Sequence, residues 1–185
     1  MKNSILLILT LLNISAFTQE TETKPFSTYQ ALDYMLLFNP NSNKDSYFDG
    51  NTGQMEKPSK FVIAGLAGHY EYGMAYKEWM RLGILTGIYA NFYDGIYTLP
   101  IAGAVTLAPK VGEETRIYGK FALGWNTAIG KGDLNGMFSH YHFGVEFGGG
   151  SRLFLFVNDH GFRLKNEVYR TAGIGFGGTL FKSEK

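Results

Sequence analysis

The sequence predicts an all-β protein, a single up-and-down antiparallel barrel of eight strands that spans a membrane. The runs at 115–126 and 138–148 alternate apolar with polar side chains. Successive side chains of a β-strand point to opposite faces, so each run forms a strand with one apolar and one polar face. An N-terminal export signal, abundant glycine and aromatic residues, and no cysteine accompany these runs. This combination is typical of a barrel that is apolar outside and polar inside.

The N-terminus has the composition of a secretory signal peptide. Lys2 precedes an apolar core at 5–12, and small residues around Ala16 predict cleavage before Gln19. The apolar core is shorter than the ~20 residues of a membrane-spanning helix, although a retained N-terminal anchor is the alternative. We therefore expect a signal peptide at 1–18, a leader at 19–26, the outer-membrane barrel at 27–181 and a tail at 182–185.

Charge and cysteine content exclude several classes of function. The chain has 17 Lys and Arg against 16 Asp and Glu, so it offers no electrostatic case for nucleic-acid binding. The absence of cysteine excludes a disulfide scaffold, a cysteine nucleophile and a cysteine-based zinc site. No later stretch has the apolar length of a transmembrane helix, so a membrane location requires a barrel.

Eight segments have the alternation of strands. The first is ambiguous: Ser27–Gln30 resembles a capping box and favours a helix, but alternation favours a strand, which we prefer. Pro100 inside the fourth predicts a bulge. The predicted strands cover 28–38, 60–72, 79–90, 97–107, 115–126, 138–148, 152–158 and 167–181.

The predicted links alternate in length. Longer polar links follow the first, third, fifth and seventh strands, and they include a long exposed loop at 39–59 and a polar loop at 159–166. Short links follow the second, fourth and sixth strands, near 74–76, 111–114 and 148–151. Transmembrane barrels have long loops outside the cell and short turns in the periplasm, so this asymmetry supports the fold.

The chain resembles the small eight-stranded outer-membrane β-barrel proteins, the OmpA/OmpX-like group of Gram-negative bacteria. The resemblance rests on the signal and on three segments, 97–101, 143–157 and 172–181. Such proteins usually end on an aromatic residue, whereas here Phe181 is followed by Lys-Ser-Glu-Lys. The resemblance implies a fold and a location in the cell outer membrane. It does not imply an activity, because relatives serve as anchors, adhesins, small pores and lipid-modifying enzymes.

The inward faces of the predicted strands carry many charges. Arg116, Lys120 and Glu146 lie on neighbouring strands with the same parity, so we expect them to pair and close the lumen. A narrow water or ion path and a ligand site are the alternatives. The predicted lumen charge network consists of Glu71, Arg81, Arg116, Lys120, His142 and Glu146, and the same parity also holds Asp33, His69, His140 and Arg152.

The sequence predicts no catalytic residue, metal site or cofactor. His140 and His142 could bind a metal with Glu146 or His69, but such a set arises readily by chance in an alternating strand. Ser139 and His140 are adjacent and therefore point to opposite faces of a strand, which separates a nucleophile from its base. Asp159 and His160, placed in a loop, have no evident partner serine.

The outward parity predicts the lipid contacts. The expected lipid-facing residues are Phe143, Val145, Phe147 and Leu123, and the expected interfacial aromatic residues are Trp79, Tyr97 and Trp125. A soluble protein with these side chains in its core is the alternative. The expected partners are outer-membrane lipid and an extracellular molecule that contacts the 39–59 loop.

The favoured function is a structural or surface-interaction barrel of the outer membrane without catalysis. One alternative is an outer-membrane enzyme that hydrolyses or transfers lipid acyl chains. The other is a soluble exported barrel that binds a hydrophobic ligand.

Overall fold

The computed structural model describes residues 25–38, 47–50, 53–56, 63–129, 134–164 and 167–182. The predicted signal peptide, most of the predicted leader and the last three residues of the predicted tail lie outside these ranges. The strands are β1 (Phe26–Phe38), β2 (Tyr47–Asp49), β3 (Gln54–Glu56), β4 (Ile63–Tyr76), β5 (Met80–Asn91), β6 (Ile96–Leu107), β7 (Arg116–Ile129), β8 (Asn135–Glu146), β9 (Ser151–Leu164) and β10 (Glu167–Lys182).

Eight long strands form a closed barrel in the order β1-β10-β9-β8-β7-β6-β5-β4, and every neighbouring pair is antiparallel. The predicted eight-stranded up-and-down barrel is therefore confirmed. Because the strand number is even, the barrel begins and ends at the same rim, which we call the terminal end. The opposite rim, where residues 39–62 connect β1 to β4, is the loop end.

The first segment is a strand, and the alternative helix is wrong. β1 pairs with β10 on one side and with β4 on the other, and it thereby closes the barrel. Asp33 and Met35 are buried, whereas Leu32 and Tyr34 are exposed. Two ladders of backbone hydrogen bonds outweigh the local capping signal before Ala31.

The largest errors in the predicted strand boundaries concern β4 and β9. β4 continues through the predicted link at 74–76, because the chain reverses at Lys77 and Glu78, which have φ of 46° and 61°. Neither residue is a usual turn former, so the sequence carried no signal there. β9 continues to Leu164 through most of the predicted loop at 159–166, and it pairs with β10 along that extension.

The predicted alternation of link lengths is also wrong. The link at 108–115, at the terminal end, is longer than the link at 92–95 at the loop end. Only 165–166 separates β9 from β10. The strands extend into polar segments, because an inward polar residue can continue a barrel strand. The 39–62 connection alone is long, and β2 and β3 form a small hairpin within the loop predicted at 39–59.

Pro100 does not mark a bulge. Thr86 pairs with Ile101 and Tyr89 pairs with Thr98, so the register between β5 and β6 is the same on both sides of the proline. The proline lacks an N–H donor, and β6 tolerates that loss without an extra residue.

Side chains alternate between lumen and outer surface along every long strand. In β6 each buried residue is followed by an exposed one from Ile96 to Leu107. Small inward residues make room for large ones: a side chain at Gly175 would meet the ring of Phe154. Within the described part of the chain, no helix is long and apolar enough to cross a membrane.

Candidate functional site in the barrel lumen

The lumen has two layers of different chemistry. The charge layer lies toward the terminal end and consists of Asp33, Glu71, Arg81, Lys120, Glu146 and Arg152. The histidine layer adjoins it, extends toward the loop end, and consists of His69, Tyr89, Phe138, His140 and His142. All of these side chains are buried.

The strongest contact of the charge layer joins Arg81 on β5 to Glu146 on β8. The Arg81 Nη1 and Nη2 atoms donate to Glu146 Oε2 and Oε1, both at 2.6 Å. Their side chains are 0% and 3% exposed. This bidentate geometry is the strong form of an arginine–carboxylate pair. Thr179 on β10 also donates to Glu146, at 3.3 Å.

A second group of charges surrounds Lys120. Its Nζ atom lies 3.1 Å from Asp33 Oδ2 and 2.5 Å from Glu71 Oε2. Arg152 donates to the other Asp33 oxygen at 2.6 Å, and the Tyr29 hydroxyl donates to Glu71. Asp33 on β1 and Lys120 on β7 are four strands apart in the ring, so their contact joins opposite walls.

The predicted pairing within the network is partly different. Arg116 is the register partner of Glu146, and its Nε atom forms a long ion pair with Glu146 Oε1 at 3.9 Å, while its Nη2 atom contacts Glu78 more closely at 2.7 Å. Lys120 lies opposite His142 and does not pair with Glu146. The register sets which residues face each other on adjacent strands, whereas these pairs form across the lumen.

The histidine layer brings two opposite walls together. His69 lies on β4 and His140 and His142 lie on β8, four strands away in the ring. The ring centroids of His69 and His140 are 4.8 Å apart, and those of His140 and His142 are 3.9 Å apart. His142 stacks on Phe154 at 4.1 Å, and Tyr89 packs edge-on against His69 at 4.9 Å.

Most nitrogens of this layer have no hydrogen-bond partner. Among the described residues, both ring nitrogens of His69 and of His142 and the Nε2 atom of His140 are unpartnered. His140 Nδ1 contacts Asn158 Oδ1, and the Tyr89 hydroxyl lies 3.5 Å from the same nitrogen. His142, predicted as a member of the charge network, therefore belongs to a layer without ion pairs.

The three histidines could hold a metal ion. One nitrogen from each of His69, His140 and His142 can be chosen so that all three lie within 4.8 Å of one another. The pairing of His140 Nδ1 with a carbonyl oxygen leaves Nε2 with a free lone pair. Sequence reasoning named all three residues but could not show that β4 meets β8.

The loop end of the lumen is filled by a third group, which the sequence reasoning missed. Asn126 and Thr171 contact the two ring nitrogens of His160, at 2.9 and 3.0 Å. Tyr169 stacks on Phe162 at 5.2 Å. The inward parity of these residues is the signal for them, but the sequence-based prediction places His160 in a loop.

The predicted lipid-facing residues lie on the outer surface. Phe143 is 66% exposed, Leu123 is also exposed, and Val145 is half-buried. Phe147 is exposed but follows β8, since the strand ends at Glu146 and a short turn at Gly148–Gly150 follows.

The predicted interfacial aromatic residues lie on the outside near the two rims. Trp79 lies in the 77–79 link at the terminal end. Tyr97 is the second residue of β6, at the loop end. Trp125 lies four residues further toward the terminal end than Ile129, the register partner of Tyr97, and it pairs with Ile101 and Met137. All three side chains are exposed.

The residues considered for acyl chemistry do not form a site. Ser139 lies on the outer face and His140 in the lumen. Asp159 lies on the outer face of β9, where Arg170 donates to it at 3.1 Å, while the adjacent His160 points inward. Both members of the predicted loop dipeptide are thus strand residues.

Comparison with solved structures confirms the fold. The chain is similar to Neisserial surface protein A (NspA), with a TM-score of 0.56 and 15% identity over 85% of this chain and 97% of that one. The N-terminal barrel domain of Pseudomonas aeruginosa OprF also matches, with a TM-score of 0.44 and 10% identity over 86% of this chain and 100% of that one. A designed transmembrane barrel matches with a TM-score of 0.42 and 12% identity over 86% of this chain and 100% of that one. No family model matches the sequence, and no curated protein does. The protein thus has the fold of the small eight-stranded outer-membrane barrels.

Proposed function

We propose that this protein is an outer-membrane barrel with a closed lumen, and that its role is structural or surface-interacting and not catalytic. The observation that carries the proposal is the apolar outer band of the barrel. Along the described parts of the eight barrel strands, outward positions carry charge only at Asp159, Arg163, Arg170 and Lys182. The first three lie at the loop end and the last at the terminal end.

The uncharged band has the height of an outer membrane. On β10 it covers residues 172–180, between Arg170 and Lys182. At ~3.4 Å per residue and a tilt of ~40°, this segment spans about 20–25 Å. The apolar band of outer-membrane barrels is ~25 Å tall, so the match supports insertion.

The distribution of polarity opposes the soluble alternative. A soluble barrel that binds a hydrophobic ligand needs an apolar lumen and a polar exterior. Here Leu153, Leu155 and Val157 are exposed, while Arg152 and Asn158 on the same strand are buried. An exposed apolar surface of this extent requires a lipid or protein cover.

The cross-lumen contacts support a closed passage. Arg81 with Glu146, and Lys120 with Asp33 and Glu71, connect walls three and four strands apart. Eight-stranded barrels have an interior only wide enough for side chains. These ion pairs therefore occupy the space that a channel would need.

Fractionation of a host that exports the protein tests the location. We expect the mature chain in the detergent-extracted outer membrane, with different gel migration before and after boiling. Recovery in the soluble periplasmic fraction would contradict the membrane proposal.

The lipid-facing surface can be tested with a matched pair of substitutions. Phe143→Arg places a charge inside the apolar band and should cost about 2–4 kcal/mol of folding free energy in lipid vesicles. Phe147→Arg places the same charge at the rim and should cost about 0–1 kcal/mol. Equal costs for the two variants would mean that the band is not in lipid.

Planar-bilayer recordings test the closed lumen. The pure protein should give little steady conductance, because the charge layer fills the passage. Large, stable and ion-selective channels would contradict the closed lumen and would mean that the protein is a porin.

A further inference from the structure

We propose that His69, His140 and His142 form a transition-metal site that joins β4 to β8 across the lumen. The inference does not depend on the membrane proposal, and it departs from the sequence-based expectation of no metal. The three residues offer one nitrogen each within 4.8 Å, and all three are buried.

Unpartnered nitrogens are the second, independent observation. A buried polar atom without a hydrogen bond costs about 1–3 kcal/mol, so native structures seldom keep several together. Five of the six ring nitrogens of His69, His140 and His142 lack a partner in the described lumen. Metal coordination would satisfy three of these five.

His140 is oriented so that it can coordinate a metal ion. Its Nδ1–H donates to the Asn158 carbonyl oxygen, which leaves Nε2 as the atom with a free lone pair. Metal-bound histidines almost always donate their second ring N–H to an oxygen in this way. Asn158 is held in turn, because its amide donates to Thr171 at 3.0 Å.

The distances require only a modest adjustment of the rings. With metal–nitrogen bonds of ~2.0–2.1 Å, a tetrahedral site has nitrogens about 3.3–3.4 Å apart. The nitrogens would therefore approach one another by at most about 1.5 Å, which rotation about the terminal side-chain bonds supplies. His140 and His142, two residues apart on one strand face, are already adjacent at 3.9 Å between centroids.

The ligand chemistry identifies the class of ion. Imidazole nitrogens favour Zn²⁺, Cu²⁺ and Ni²⁺, whereas Mg²⁺ and Ca²⁺ prefer oxygen ligands. Three histidines leave one coordination position of Zn²⁺ for water. Asp33, the register partner of His69, and Glu71 lie beside the site and offset the positive charge of the ion and of Lys120.

Metal titration of the tag-free protein, folded in detergent micelles, tests the site. ZnCl₂ should bind at one ion per chain with a Kd below about 1 μM. CoCl₂ should give the strong visible absorption of four- or five-coordinate Co²⁺. The metal is added both to folded protein and during refolding, because the site lies inside the barrel, and binding by either route supports the proposal.

Substitutions separate this site from adventitious binding. His69→Gln and His142→Gln should each weaken Zn²⁺ binding at least about 100-fold, and Asn158→Ala about 10–100-fold. His160→Gln is the matched control, a buried lumen histidine outside the cluster, and should leave the Kd unchanged. Gel migration before and after boiling verifies that each variant folds.

Three results would overturn the proposal. The first is no saturable binding by either loading route, and the second is equal weakening in His142→Gln and His160→Gln. The third is an X-ray absorption spectrum of the zinc-loaded wild-type protein that shows only oxygen ligands around the metal. This result does not depend on whether the variants fold.

Discussion

The charge layer and the histidine layer occupy the same lumen and follow the same inward parity, yet their polar groups are satisfied differently. In the charge layer, Glu146 accepts from Arg81, and Lys120 contacts both Asp33 and Glu71. In the histidine layer, His69 and His142 pack by their ring faces and edges, and their nitrogens have no partner in the described lumen.

The difference follows from what each side chain can do when it is buried. A charged group must be paired, because an isolated charge in a barrel interior costs several kcal/mol. A histidine can remain neutral and pack like an aromatic ring, so it tolerates unpartnered nitrogens at a smaller cost. Removal of one partner should therefore strongly destabilise the charge layer, whereas an apolar substitution should change the stability of the histidine layer little.

The largest effect is expected at Glu146. Glu146→Gln leaves the fully buried Arg81 without a counter-charge and should cost about 3–5 kcal/mol in unfolding free energy. Urea titration in lipid vesicles measures it. The double variant Arg81→Leu with Glu146→Leu should recover most of the lost stability. If it does not, the loss in Glu146→Gln does not come from breaking the Arg81–Glu146 ion pair.

Lys120→Met should cost less, about 2–3 kcal/mol. Asp33 keeps its contact with Arg152 and Glu71 keeps the hydroxyl of Tyr29, so neither carboxylate is left bare. The same titration compares this variant with Glu146→Gln. A larger loss of stability for Lys120→Met than for Glu146→Gln would contradict this expected order of the two effects.

His142→Leu should be close to neutral for the metal-free barrel, between a loss of about 0.5 and a gain of about 1.5 kcal/mol. It removes two unpartnered nitrogens, a gain of about 1–2 kcal/mol, and loses the stacking on Phe154, about 0.5–1.5 kcal/mol. Unfolding is measured with EDTA present. In excess Zn²⁺ the wild type should become more stable than His142→Leu. If His142→Leu instead loses more than about 2 kcal/mol in EDTA, the two layers do not differ in how they tolerate a substitution.

The smallest effect is expected at the rim. Glu78 contacts Arg116 at 2.7 Å, but its side chain is 43% exposed, so solvent screens the pair. Glu78→Gln should change stability by about 0.5 kcal/mol or less. It is the matched control for Glu146→Gln, and equal losses in the two variants would show that burial does not decide the cost.

The local sequence pattern determined the faces of the strands. Alternation is a property of each strand alone, so Phe143 outside and Glu146 inside could be predicted without knowing any neighbour. The number of strands followed from the same pattern. The boundary of β4 did not, because the reversal at Lys77 and Glu78 carries no turn signal, and the boundary of β9 did not, because its inward polar residues look like loop residues.

Only the tertiary structure decided which inward side chains meet. Lys120 and Asp33 are 87 positions apart in the chain, and His69 lies on the wall opposite His140. Such contacts depend on closure of the ring, on the register of every pair of strands and on strand tilt, and none of these is encoded in one strand. The sequence therefore determined that the lumen is polar, while closure of the barrel divided it into a paired charge layer and a layer of neighbouring histidines.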